Sequence, residues 1–454
     1  MNKSIRIFLI TLSFLSTWAL ITSESLSQKP CSSDAQPPVG QTEITKWQYG
    51  RNGAVSITYD DGSINQFVKA VPIMNQLRIP GTFFINTGSI PGSKYLGRFI
   101  GRPVKEIINE SKSVPTNKDI VYERASAARY LGYKGTSDYF TRAGARIDEG
   151  RYPEAYKILD ELYKKVNNGD FQTEAESGRM GNSENVLTWD MIKTFAAQGH
   201  EFASHMVTHP YMAALDEPNM VYELEKSREE ILNHLGPKHT FSAECPYGTE
   251  DERTMAYAHK VYPALRNRMP EKFLMEMNRS SRKTPVNQAI EYVQWQRGAT
   301  TKTPLPMMKS WVDTTADQKN IWLVLVIHGV DGIGWEALTS QSLDEYFRYI
   351  KSKEKDLWAA TFGDVARYMR ERMNSEVKSS ENKGKLTITF THSLDKSMYD
   401  LPLTLRTIVR PEWKEVIVKQ GNESKRIATQ KTGNTSLVQY QASPNAGNVE
   451  ISGV

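Results

Sequence analysis

The run Ile321-Trp322-Leu323-Val324-Leu325-Val326-Ile327 constrains this chain more than any other feature. Consecutive apolar residues with no polar face read as a buried strand, and a strand covered on both sides belongs to a parallel sheet flanked by helices. A second stretch agrees. Ala54-Val55-Ser56-Ile57-Thr58-Tyr59 is strand-like, and residues 67–77 carry apolar side chains at spacings of three and four. Ile79-Pro80-Gly81 stops that helix, and Thr82-Phe83-Phe84-Ile85 is strand-like again. Strand, helix and strand within about thirty residues make a βαβ unit.

The alternation is interrupted from about residue 91 to 185, a polar, helix-rich stretch. Its residues Ala155, Tyr156, Ile158, Leu159, Leu162 and Tyr163 fall on one amphipathic face. A helix then spans 188–198, a strand 200–204, helical pattern about 219–235, and a final helix 362–372. The expected fold class is α/β, a barrel or barrel-like domain with a helical insertion. Residues 375–385 shift to Ser, Lys, Glu, Asn and Gly and read as a linker. Short alternating segments at 386–390, 403–409 and 415–418, punctuated by Pro411 and Gly421, predict a small C-terminal all-β sandwich. The expected boundaries are 1–27 for a leader, 44–374 for the α/β domain with its insertion at about 91–185, and 385–454 for the β-domain.

Lys3 and Arg6 precede an apolar run over residues 7–21, and Thr22-Ser23-Glu24-Ser25 follows. A charged start, a short apolar core and a small-residue exit read as a secretory signal peptide. That run is short for a ~30 Å hydrocarbon layer. The expectation is a secreted or periplasmic protein with no stable membrane span after cleavage. With 57 basic and 52 acidic residues and no basic tract interleaved with aromatics, nucleic acid is not an expected partner. Cys31 and Cys245 allow at most one disulfide, and the lack of CxxC excludes a thiolate zinc ribbon.

Four short segments carry candidate chemistry, each where a strand-like run ends. Thr58-Tyr59-Asp60-Asp61-Gly62 puts two carboxylates at a turn, where one can bind a cation while the other stays free as a base; by itself it is also an ordinary surface turn. Ser204-His205-Met206-Val207-Thr208-His209-Pro210 offers two imidazoles, and Pro210 argues for a loop. Two imidazoles with a carboxylate suit zinc or a similar ion, though they also read as two satisfied polar histidines. Glu244-Cys245-Pro246-Tyr247-Gly248 is a turn after a strand, and Val326-Ile327-His328-Gly329 places a histidine directly after one. An α/β barrel gathers its strand ends on one face, so together the four are far more telling than any alone.

This ordered set resembles the polysaccharide deacetylase (NodB-like) family, carbohydrate esterase family four, over about residues 45–372 without the insertion. The resemblance implies a deformed (β/α) barrel and a divalent ion, usually zinc, on Asp61, His205 and His209. It implies Asp60 as the general base toward an ion-bound water, and His328 as the acid that protonates the leaving group. The ion and the Tyr247 backbone N–H would hold the oxyanion. The implied partner is an acetylated polysaccharide or oligosaccharide, N- or O-acetylated.

Two departures stand out. The family's third motif usually carries an arginine, which helps orient the base, where this chain has Glu244. Its fourth motif is only loosely matched by Trp311-Val312-Asp313. Base tuning must therefore differ or come from elsewhere, and a degenerate protein that binds glycan without turnover is the alternative. The insertion is expected to cap or line the substrate groove, with Tyr130, Tyr133, Tyr139 and Phe140 either stacking on sugars or forming its own core.

Overall fold

A computed structural model describes residues 37–173, 186–266 and 293–454. The leader read at residues 1–27, and Cys31, lie outside the described residues. The first strands are β1 (Thr42–Ile44), β2 (Gly53–Tyr59), β3 (Gly81–Ile85), β4 (Glu201–Ser204), β5 (Ser242–Ala243), β6 (Ala264–Leu265), β7 (Val293–Gly298), β8 (Ile321–Ile327) and β9 (Leu357–Ala359). The later ones are β10 (Glu376–Asn382), β11 (Lys385–Thr391), β12 (Leu403–Val409), β13 (Glu415–Gln420), β14 (Glu423–Ala428), β15 (Gln430–Thr432), β16 (Thr435–Ala442) and β17 (Val449–Gly453).

Strands β2 to β9 form one parallel sheet in the order β6-β5-β4-β3-β2-β8-β7, with β9 paired to β2. β2 and β3 are buried at every residue, which is what strands covered on both faces require. Alternation divides β2 cleanly. Val55, Ile57 and Tyr59 pack outward among Phe67, Phe83, Leu325 and Leu343. Ala54 faces the other way with Phe84, Ala203, Trp322 and Val324. The sheet curls until its ends approach: the amides of Gln294 and Gln296 on β7 donate to the carbonyl of Arg266, just past β6. The architecture is the expected deformed (β/α) barrel.

The interruption is helical as expected, with helices Val104–Glu110, Val121–Ala128, Thr136–Asp148 and Tyr152–Asn168. Its core holds Tyr139, Phe140, Leu159, Leu162 and Tyr163 and is continuous with Met206, Met212 and Leu224 of the barrel. Tyr139 and Phe140 are therefore core, while Tyr130 and Tyr133 are half-buried.

Two antiparallel sheets, β1-β12-β16-β15 and β10-β11-β17-β13-β14, make the C-terminal β-region. Leu386, Phe390, Leu405, Val438 and Ile451 fill the space between them, and Tyr368 of the helix Phe362–Asn374 enters the same core. One sequence expectation is corrected here. Residues 376–382, read as a linker, form β10 and pair along their length with β11. They are polar because β10 is an outer strand whose side chains are nearly all exposed. The short segment β1 pairs Thr42 with Thr407 and so belongs to a sheet built mostly from the far end of the chain.

Candidate active site

The alternation that sends Ala54 inward continues to Asp60, which lies buried at the mouth of the barrel. Asp61 then adopts φ of 72°, the left-handed region that aspartate tolerates better than most residues. The Gln66 amide donates to the Asp60 carbonyl at 2.5 Å and to the His328 carbonyl at 2.7 Å, tying the ends of β2 and β8 together.

The histidine segment is a loop, as Pro210 requires. Met206 and His209 are both left-handed, with φ of 68° and 58°. Such backbone persists only where the surroundings over-determine it, and here they do. The buried Glu223 carboxylate accepts the N–H groups of Val207 and Thr208 at 2.8 and 2.9 Å. Arg129, at the end of an insertion helix, donates to the Thr208 hydroxyl at 2.6 Å and to its carbonyl at 2.8 Å. Gly88 passes so close that a Cβ there would sit 2.7 Å from the Val207 side chain.

These loops bring Asp61, His205 and His209 together, with ligating atoms within 4.8 Å of one another. Asp61 Oδ1 is 3.1 Å from His209 Nε2 and 3.7 Å from His205 Nε2. His205 Nδ1 lies 3.0 Å from the Glu244 carbonyl; a carbonyl only accepts, so Nδ1 carries the proton and the Nε2 lone pair faces Asp61. Burial pushes the His205 imidazole down to about 4, which keeps it neutral. A carboxylate oxygen and two imidazoles form a donor set that fits a divalent ion of the zinc class, with positions left open.

Asp60 is gripped by a residue that the motifs do not contain. Arg266 donates to Asp60 Oδ1 at 2.6 Å and to Oδ2 at 2.7 Å, a bidentate pair buried on both sides. The same guanidinium reaches the Thr58 hydroxyl at 2.9 Å and Glu244 Oε1 at 3.1 Å. Burial alone would raise the Asp60 carboxyl, but Arg266, with His328 and His205 adding, holds it well below the usual carboxylate range. Burial pushes the Glu244 carboxyl up, against the pull of Arg266. His328 Nε2 stands 3.4 Å from Asp60 Oδ2. The position of Glu244 is thus no longer an isolated departure: an arginine from the next strand end occupies the site between it and Asp60. The signal was present in principle, since a carboxylate at a strand end inside a barrel needs a cation, but nothing in Ala264-Leu265-Arg266 marks which one.

A cavity of about 720 Å³ opens over these groups, lined by Asp60, Asp61, His205, His209, Tyr247 and His328 among others. The structure therefore gathers all six residues singled out from the sequence. Trp311-Val312-Asp313 does not join them. It lies on the helix Leu305–Gln318, Trp311 and Val312 pack in the outer core, and Asp313 binds the Tyr349 hydroxyl and Lys353.

A parallel barrel with a carboxylate-imidazole triad beside an arginine-held carboxylate, all at the carboxyl ends of its strands, belongs to the class of barrels with a candidate metal centre at the catalytic face. Within that class, the model of the polysaccharide deacetylase family matches residues 143–283. That span holds the histidine loop, the Glu244-to-Gly248 turn and Arg266. A gellan lyase from Bacillus sp is 24% identical over 276 residues, 57% of this chain and 11% of that protein's length. Among solved structures, the chitin deacetylase of Colletotrichum lindemuthianum is 15% identical, covering 72% of this chain and 92% of that one at a TM-score of 0.33. A family 4 carbohydrate esterase of Bacillus subtilis is 12% identical, covering 72% and 82% at a TM-score of 0.31.

Proposed function

We propose that this chain is an exported, metal-dependent deacetylase that hydrolyses N- or O-acetyl groups of a carbohydrate polymer. The observation that carries the reading is the pairing of two adjacent carboxylates in unlike settings. Asp60 is fixed and ionised by Arg266, while Asp61 faces two imidazoles with which it can hold an ion. Adjacent groups held in such different environments are how one site separates a base from a ligand.

Asp61, His205 and His209 would hold the ion, zinc being the first choice, and the ion supplies Lewis acidity. Asp60 takes a proton from the attacking water. Arg266 fixes both Asp60 oxygens, so the base meets the water in one orientation. The Tyr247 backbone N–H is assigned to the oxyanion, and His328 gives a proton to the departing amine or alcohol. The leader over residues 1–27 supports export. Glu244, which motivates the binding-only alternative, sits beside an arginine that takes over the missing orienting role, and so counts less for that reading.

The test is acetate release from chitin oligosaccharides, acetylxylan, peptidoglycan fragments and gellan, with and without chelator. Wild type is expected to release acetate from at least one, and Asp60→Asn to lose about 10²–10⁴-fold in kcat while retaining metal. Near-normal turnover in Asp60→Asn would remove it as the base. Metal-loaded wild type that binds these glycans and releases nothing would return the binding-only reading.

A further inference from the structure

Two aromatic rings at this cavity are conspicuously exposed. Trp335 is 59% exposed and Tyr247 is 54% exposed. The other described tryptophans are buried or half-buried, so Trp335 departs from how this fold treats the residue. Each ring stands one side chain outward from a motif residue. Trp335 meets the His328 ring edge-on at 4.7 Å, and Tyr247 meets the His209 ring edge-on at 4.6 Å. Both line the same cavity, one reached from the end of β8 and the other from the turn after β5.

The loop backbone that carries Trp335 and the packing around the Tyr247 ring are both tied down. In the loop that carries Trp335, the Gly329 N–H donates to the Trp335 carbonyl at 2.9 Å, and the Asp331 N–H to the Leu338 carbonyl at 2.9 Å. Gly329 and Gly334 touch so closely that a Cβ on Gly329 would lie 2.7 Å from the Gly334 backbone. Tyr247 is stacked on Tyr211, centroids 4.1 Å apart and planes within 7°. Tyr211 in turn leans on Gly144 of the insertion, where an added Cβ would come within 2.8 Å of its side chain. An exposed ring that is pre-ordered loses little freedom when something flat settles on it.

We propose that Trp335 and Tyr247 are the platforms of a sugar-binding subsite that holds a pyranose ring neighbouring the acetylated one. The proposal rests on the deacetylase reading. A pyranose presents an apolar C–H face and a polar hydroxyl rim, which matches a rigid aromatic face beside buried polar groups. It also accounts for why so much aromatic surface is left in water at this one place.

The experiment uses the full-length, zinc-loaded protein with chitopentaose and acetylated xylopentaose, and the corresponding acetylated monosaccharides. Trp335→Ala is expected to raise KM for the responsive pentamer about tenfold with kcat changed less than threefold. The loss should be greater on the pentamer than on the monosaccharide, and Trp335→Phe should recover most of it. An equal loss on both, or a loss confined to kcat, overturns the subsite. If wild type releases acetate from neither pentamer, the deacetylase reading fails on these substrates, and calorimetric titration of the pentamers decides the subsite separately. Binding weakened about tenfold by Trp335→Ala supports it; equal affinity, or no binding by wild type, overturns it.

Discussion

The insertion and the C-terminal β-region are both built onto the same barrel, and among the described residues neither lines the cavity. They differ in what they grip. The insertion takes hold of the site's loops: Arg129 clasps Thr208, next to His209, and Gly144 backs Tyr211, which backs Tyr247. The β-region takes hold of a helix. Tyr368 donates its hydroxyl to the Thr45 carbonyl at 2.8 Å, and Glu371 accepts the Leu401 N–H at 3.2 Å. An addition that clasps a loop of the candidate site can tune it, whereas one that braces a helix on the barrel sets stability.

Three substitutions test that contrast, with the barrel's own residue setting the upper scale. Arg266→Ala leaves the buried Asp60 carboxylate without its bidentate cation and should cost about 3–5 kcal/mol in urea unfolding at pH 7. A loss below 1 kcal/mol would mean that Asp60 finds another partner and that the barrel interior rearranges. On the insertion side, Arg129→Ala frees the histidine loop and should weaken zinc binding roughly 10–100-fold in competition with a chromophoric chelator. Arg129→Lys should recover part of it. Unchanged affinity with a lower Tm would make the insertion a packing element like the β-region.

The smallest effect belongs to the β-region side. Burial pushes the Glu371 carboxyl up to about 8, whereas in the unfolded chain it ionises near its ordinary value of about 4.5. The raised value means its contribution to stability is fully present below about 4.5 and is lost as pH rises through about 8. Relative to wild type, Glu371→Gln should gain roughly 2–4 °C in Tm on going from pH 5 to pH 9, with acetate release unaltered. A change in activity without that pH trend would erase the distinction between the two additions.

The barrel and the gathering of six candidate residues were legible because each motif is contiguous: a strand-like run, then a turn bearing polar groups. What stayed hidden depends on curvature. Arg266 follows a two-residue strand with no pattern of its own, and meets Asp60 only because the sheet curls. Trp311-Val312-Asp313 matched a motif by composition, yet helical geometry directs Trp311 and Val312 into the outer core. β10 looked like a linker because an outer strand with solvent on most of its side chains has a loop's composition. Arg129 was invisible for a different reason: its role is a hydrogen bond to a backbone carbonyl and a hydroxyl, which leaves no spacing in sequence.

The pairing of β1 with β12 carries a consequence for biosynthesis. Thr42 and Thr407 lie 365 residues apart. At ribosomal rates of about 5–20 residues per second, the first strand emerges roughly 20–70 s before its partner has been made. Until then its backbone donors and acceptors must be kept by water or by a chaperone, and the barrel between has time to fold first. A nascent chain stalled before residue 403 would still lack β12, the strand that β1 pairs with.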